Sequence, residues 1–313
     1  MIREHVAPAV YYLEVHFLFA SVVCVAAWLL TSLWRGSYTA KYWIWVATAA
    51  NFMVPIGGFF NGFGAARLSW ATQLRGLDEV GFEVSRNLPV GGVILGVWLC
   101  GAALMAVRLV VRLPWGGGDE RNGEGCSTTQ LRRRFLRHGV PVTLSAPGHG
   151  PSVEGLLRPR ISLPLGIDGL LTDRELDAVL IHEVTHARRH DNLISLIHEI
   201  ALCWLWFHPL VWLAGSKLAV FRELSCDDAV IKSSRGRDLL TALAKLADPR
   251  ESRLLRAGAA TLVSHRLAHL KGSESRPAGR AAMLALIVLY GTVLLVCMVE
   301  TIAHTPGCFN FTM

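Results

Sequence analysis

The chain has 313 residues, of which 52% are hydrophobic and only 18% charged, with a mean hydropathy of +0.39. The apolar residues are gathered into blocks long enough to cross a bilayer, which excludes an ordinary soluble enzyme and makes the lipid bilayer a partner. The net charge of +7 is assigned to arginine-rich loops on the cytoplasmic side, so no direct nucleic-acid binding is expected.

In chain order, residues 1–112 read as a membrane region with three transmembrane helices at about 10–34, 42–63 and 89–111. Glu14 and His16 lie near the start of the first, where Glu14 is either an interfacial or an intramembrane functional group. The loop 35–41 is purely basic, whereas the loop 64–88 balances arginines against Asp78, Glu79 and Glu83. Glycines make 113–127 a flexible linker. Residues 128–280 are polar and hold most of the arginines, a fourth apolar helix spans 281–303, and 304–313 form a short extracytoplasmic tail. The positive-inside rule puts 35–41 and 128–280 on the same, cytoplasmic side.

Within the polar region, 128–138 reads as a basic juxtamembrane helix whose Arg132, Arg133, Arg134 and Arg137 face either anionic headgroups or solvent. Val140 to Leu144 reads as a strand. Ser152 to Leu165 reads as one or two more, and Pro159 and Pro164 suggest an edge strand on which an extended peptide could pair. Thr172-Asp-Arg-Glu175 is a capping-box pattern that opens a helix running to about Asp191. Further helices are expected from Asn192, from beyond the break at His208-Pro209, and over Gly258 to Leu270. The seven cysteines are scattered without a Cys-x-x-Cys pair, as suits small buried side chains in a reducing compartment.

The helix opened by Thr172 carries His182-Glu183-Val-Thr-His186. Residues four apart share a helix face, so His182 and His186 can hold one metal ion, and neutral imidazoles suit Zn2+. Glu183 is placed to act as general base on a water activated by that metal. Glu223, in Arg222-Glu-Leu-Ser-Cys-Asp-Asp228, is assigned as the third ligand, and Asp227, four residues on, as the acceptor for the second ring N–H of a ligand histidine. His190 is either a further contact on that face or a helix-end histidine. Asp191 is a local cap, a partner of Arg188 or an outer support of the metal. Arg222, His208, His265 and His269 all remain open as the oxyanion donor, since all five tyrosines lie outside the peptidase region.

His182-Glu-x-x-His186 followed by Glu223-x-x-x-Asp227 resembles the gluzincin pattern of zinc peptidases. The flanks Gly155-Leu-Leu-Arg-Pro-Arg-Ile-Ser-Leu-Pro164, Arg189-His-Asp191 and Phe207-His-Pro-Leu-Val-Trp212 make the chain similar to the BlaR/MecR family of antirepressor metallopeptidases. The resemblance implies a mainly α integral membrane protein of the bacterial inner (plasma) membrane. Four spans would carry an α+β gluzincin-like peptidase domain, facing the cytoplasm, between the third and fourth. It also implies a zinc endopeptidase whose substrate is a cytoplasmic winged-helix transcriptional repressor, the protease itself, or both. No penicillin-binding sensor domain is expected after the fourth span. A membrane quality-control protease and a non-catalytic zinc-containing sensor or scaffold are the alternative readings, and homo-oligomerisation is left open.

Overall fold

The computed structural model describes residues 2–34, 36–53, 88–112, 139–145, 150–246 and 257–272, with the single residue 291. The expected linker, the loop 64–88, the basic helix at 128–138, the fourth span and the tail lie outside these residues, Leu88 and Gly291 apart.

Among the described residues, three helices come first: α1 (Ile2–Leu33), α2 (Tyr38–Met53) and α3 (Leu88–Arg112). Of the described helices, only α1 contains a stretch, His16–Leu33, long and apolar enough to cross a membrane; Gly96–Val111 in α3 is a shorter apolar stretch. The span expected at 42–63 is described only as far as Met53, within α2.

Among the described residues, the polar region begins with three short strands, β1 (Val142–Ser145), β2 (Ser152–Glu154) and β3 (Arg160–Pro164), followed by the single-turn α4 (Ile167–Leu170). The order is β1-β3-β2, with β3 parallel to β1 and antiparallel to β2. This corrects the edge-strand expectation for the proline-bearing segment, because β3 is central. Ile161 and Leu165 donate their N–H groups to Pro141 and Ser145, on the β1 side. By alternation the missing N–H of Pro164 faces the other side, beyond the last β2–β3 pair at Ser152 and Ser162. Pro164 therefore costs the ladder nothing, and among the described residues the edges are β1 and β2.

Among the described residues, five helices follow: α5 (Asp173–Arg188), α6 (Asp191–Trp204), α7 (Pro209–Lys232), α8 (Gly236–Leu246) and α9 (Ala257–Lys271). The capping box at the head of α5 is formed: Thr172 Oγ1 accepts from the Glu175 N–H, and Glu175 Oε2 accepts from the Thr172 N–H at 2.7 Å. His190 ends the α5 segment in the left-handed region, with φ 53° and ψ 44°. The chain turns there, so Asp191 opens α6 rather than continuing α5. Pro209 starts α7, where its missing N–H is no loss.

Two apolar cores result. Ala20, Val23 and Ala27 of α1 pack with Trp45 and Phe52 of α2, Leu202 of α6, and Val211, Leu218 and Leu224 of α7. Ile161 and Leu163 of β3 pack with Leu176, Val179 and Leu180 of α5, Val230 of α7, Leu239 of α8 and Leu270 of α9. Helix α3 is tied to the end of α6 by indole hydrogen bonds, from Trp98 to the Trp204 carbonyl and from Trp206 to the Trp98 carbonyl. Of the described cysteines, Cys24 and Cys226 are buried, Cys100 is exposed and Cys203 lies between; all four are free.

Candidate metal centre

The site lies between the second half of α5 and the middle of α7, closed from one side by α9. Leu176, Val179, Leu180 and Val184 turn one face of α5 into the sheet core. The adjoining face then presents His182, Glu183 and His186 to α7, with His182 and Glu183 buried. Helix α7 answers with Glu223, and one turn later with Asp227, which is wholly buried.

His182 Nε2 and His186 Nε2 are 3.1 Å apart. Glu223 Oε2 lies 3.5 Å from the first and 3.7 Å from the second. Three ligand atoms at about 2.0–2.2 Å from one tetrahedral ion stand roughly 3.3 Å from one another. The trio therefore fits a metal ion of zinc's size, and two nitrogens with one carboxylate oxygen are the donors such an ion takes.

Each histidine is backed by a carboxylate. His182 Nδ1 stands 3.1 Å from Asp227 Oδ1. His186 Nδ1 is 2.7 Å from Asp191 Oδ2, so Asp191 supports the second histidine. Arg188 is exposed. The Asp191 carboxylate also accepts from Arg189 Nη2 at 2.6 Å and, on its other oxygen, from the Tyr42 hydroxyl at 2.6 Å. His186, Asp191 and Cys226 also converge. That trio lies on the Nδ1 side of His186, where the proton already goes to Asp191.

Arg266 of α9 was not singled out by the sequence as part of the site. It binds both oxygens of Asp227, with Nε to Oδ2 at 3.0 Å and Nη2 to Oδ1 at 2.8 Å. The same guanidinium brings Nη1 to 3.5 Å from Glu223 Oε2 and Nη2 to 3.4 Å from His182 Nε2. Of the four donors left open, Arg222 binds Glu223 Oε1 and Ser195. His269 pairs with Asp228, His265 is exposed, and His208 packs against Phe17, Ser21 and Phe52. His190 is exposed and bonds the Leu156 carbonyl, away from the ligand trio.

Electrostatics follow from these contacts. Burial opposes a proton on either ligand histidine, but carboxylates more than offset it. Asp227 and Glu223 hold His182 above its ordinary value, and Asp191, Cys226 and Glu223 hold His186 well above it. Burial pushes Glu223 up, yet the two histidines hold it well below the carboxylate range. In the metal-free protein, the carboxylates thus favour the protonated form of each ligand imidazole. A raised histidine stabilises the metal-free fold below the ordinary imidazole value, and that stability is lost as pH rises through the raised value. Depressed Glu223 and Asp227 stabilise it above the ordinary carboxylate value and fail as pH falls. Zinc added near pH 7 should therefore expel protons, and its affinity should weaken on acidification. Titration calorimetry in buffers of differing ionisation heat would show this as a buffer-dependent enthalpy; identical enthalpies would refute it.

Residues 82–270 match the family described as BlaR1 peptidase M56. The chain is 29% identical over 163 residues to the regulatory protein BlaR1 of Bacillus licheniformis, covering 50% of this chain and 27% of that protein. It is 24% identical over 109 residues to the methicillin resistance mecR1 proteins of Staphylococcus aureus and Staphylococcus epidermidis, covering 35% of this chain and 19% of theirs. The chain thus spans about a quarter or less of the length of these relatives.

Proposed function

The chain belongs to the BlaR1 peptidase M56 family, and from that footing we propose that it is a multi-pass membrane zinc endopeptidase that transmits a signal by cutting a protein in the cytoplasm. The observation that carries this reading is the convergence of His182, His186 and Glu223 on one point, with Glu183 beside them and a carboxylate behind each histidine.

His182, His186 and Glu223 would hold the zinc. When bound, the ion supplies a Lewis acid that polarises a carbonyl and makes water nucleophilic near neutral pH. Glu183 takes the proton of the attacking water and delivers it to the leaving amine. Asp227 and Asp191 keep the two imidazoles in one tautomer and orientation. Arg266, anchored by Asp227 and close enough to feel the charges of Glu223 and Glu183, has Nη1 turned to the ligand side of the site. It can donate to the carbonyl oxygen as negative charge builds there.

The membrane reading is supported by apolar stripes that are exposed among the described residues. Leu18, Val22, Val25 and Leu29 recur at helical spacing on the exposed side of α1, and Val93, Val97, Leu104, Val107 and Val111 do so on α3. Such stripes are costly in water and suit lipid. In this reading the spans are 10–34, 42–63, 89–111 and 281–303, with the peptidase segment 128–280 in the cytoplasm. The substrate would be a winged-helix repressor, the chain itself, or both, in keeping with a relative named as a regulatory protein.

The test compares new protein N-termini in cells making the wild-type chain or His186→Ala. A few new termini on one cytoplasmic protein, or on the chain itself, should depend on His186. Many termini across membrane proteins would move the reading to quality control, and no difference would overturn peptidase function.

A further inference from the structure

Tyr42 lies on α2, outside the peptidase segment, yet it is fully buried and its hydroxyl donates to Asp191 Oδ1 at 2.6 Å. Asp191 is itself 2% exposed, and its other oxygen takes His186 Nδ1 at 2.7 Å and Arg189 Nη2 at 2.6 Å. The Arg189 guanidinium lies over the Tyr42 ring, 4.3 Å from its centre, and reaches on to Ser225, Cys226 and the Arg222 carbonyl of α7. A carboxylate with three donors from fixed directions has one orientation. Without the phenol, Oδ1 would lack a donor, and the carboxylate could turn to meet Arg189 with both oxygens, as a guanidinium prefers. That turn would draw Oδ2 off His186 Nδ1.

We infer that Tyr42 is a positioning residue of the metal centre, which α2 contributes from outside the peptidase segment by fixing the Asp191 carboxylate that aims His186. This rests on the zinc reading above. It gives the centre an input from the apolar N-terminal region: a shift of α2 that withdraws the hydroxyl loosens one metal ligand without touching the other two.

The test uses the full chain in detergent with Tyr42→Phe, which keeps the ring over Arg189 and removes only the donor. Zinc affinity, measured by competition with a chromophoric chelator, should fall about 10-fold. The visible spectrum of the cobalt-loaded protein should shift, while thermal unfolding of the metal-free protein stays close to wild type. In an Asp191→Ala background, the same change should cost no further affinity, since the hydroxyl acts through that carboxylate. Wild-type affinity and spectrum in Tyr42→Phe would overturn the inference, as would an equal loss in both backgrounds. A wild-type chain that takes up neither zinc nor cobalt would instead overturn the metal reading itself, and the inference with it.

Discussion

Replacing Glu183 by Gln should slow peptide-bond hydrolysis about 10²- to 10⁴-fold while zinc stays bound. Gln keeps the size and one oxygen of the side chain but cannot carry a proton from water to a leaving amine. Glu183 is buried beside His182 on α5, yet none of the three converging ligand atoms belongs to it. The loss should therefore fall on kcat, with KM and metal content near wild type, because the interaction removed is one made in the transition state. Single-turnover cleavage together with zinc content per chain checks this. Retained cleavage would mean that the proton moves by another group. Lost zinc would mean that Glu183 belongs to the ion rather than to the water.

Asp227→Ala should be the most destabilising single change at the site, at about 3–5 kcal/mol, the usual range when one partner of a buried ion pair is removed. Asp227 is wholly buried and binds both Nε and Nη2 of Arg266. Truncation would leave that guanidinium buried, with Glu223 as its nearest remaining carboxylate at 3.5 Å. His182 would lose the group facing Nδ1 as well, so zinc affinity should drop about 10- to 100-fold. Asp228 makes a useful contrast. It accepts from the Tyr38 N–H and pairs with His269 at a more open position, and Asp228→Ala should cost less. Thermal unfolding of the two metal-free variants in the same detergent measures the difference, and an equal or smaller loss for Asp227→Ala would refute the assignment.

Much of this centre was legible because its determinants are local. His182 and His186 share a helix face by spacing alone, and the Thr172–Glu175 box marks where that helix starts. Glu223 and Asp227 are one turn apart on α7 for the same reason, although placing them opposite α5 needed the motif pair. Arg266 was missed as a site residue because its role depends on α9 docking across α7, and nothing in Gly258 to Leu270 signals that pairing. Tyr42 was set aside for a related reason. It lies outside the peptidase region in sequence, whereas helix packing turns it inward onto Asp191. Asp191 itself depended on the turn at His190, which no residue in the stretch announces as a glycine would. The misplacement of β3 came from treating proline as a mark of an edge, when only the side on which its missing N–H falls decides the matter.

Helix α7 belongs to both cores. Val211 to Leu224 pack with α1, α2 and α6, Val230 packs with the sheet and α5, and Glu223 and Asp227 lie at the crossover. The two cores are therefore joined through one continuous helix. Any partial unfolding that parts them must fray α7 across the very turns that carry both carboxylates. A local opening in either half that reaches these turns would therefore disturb both carboxylates of the candidate metal centre.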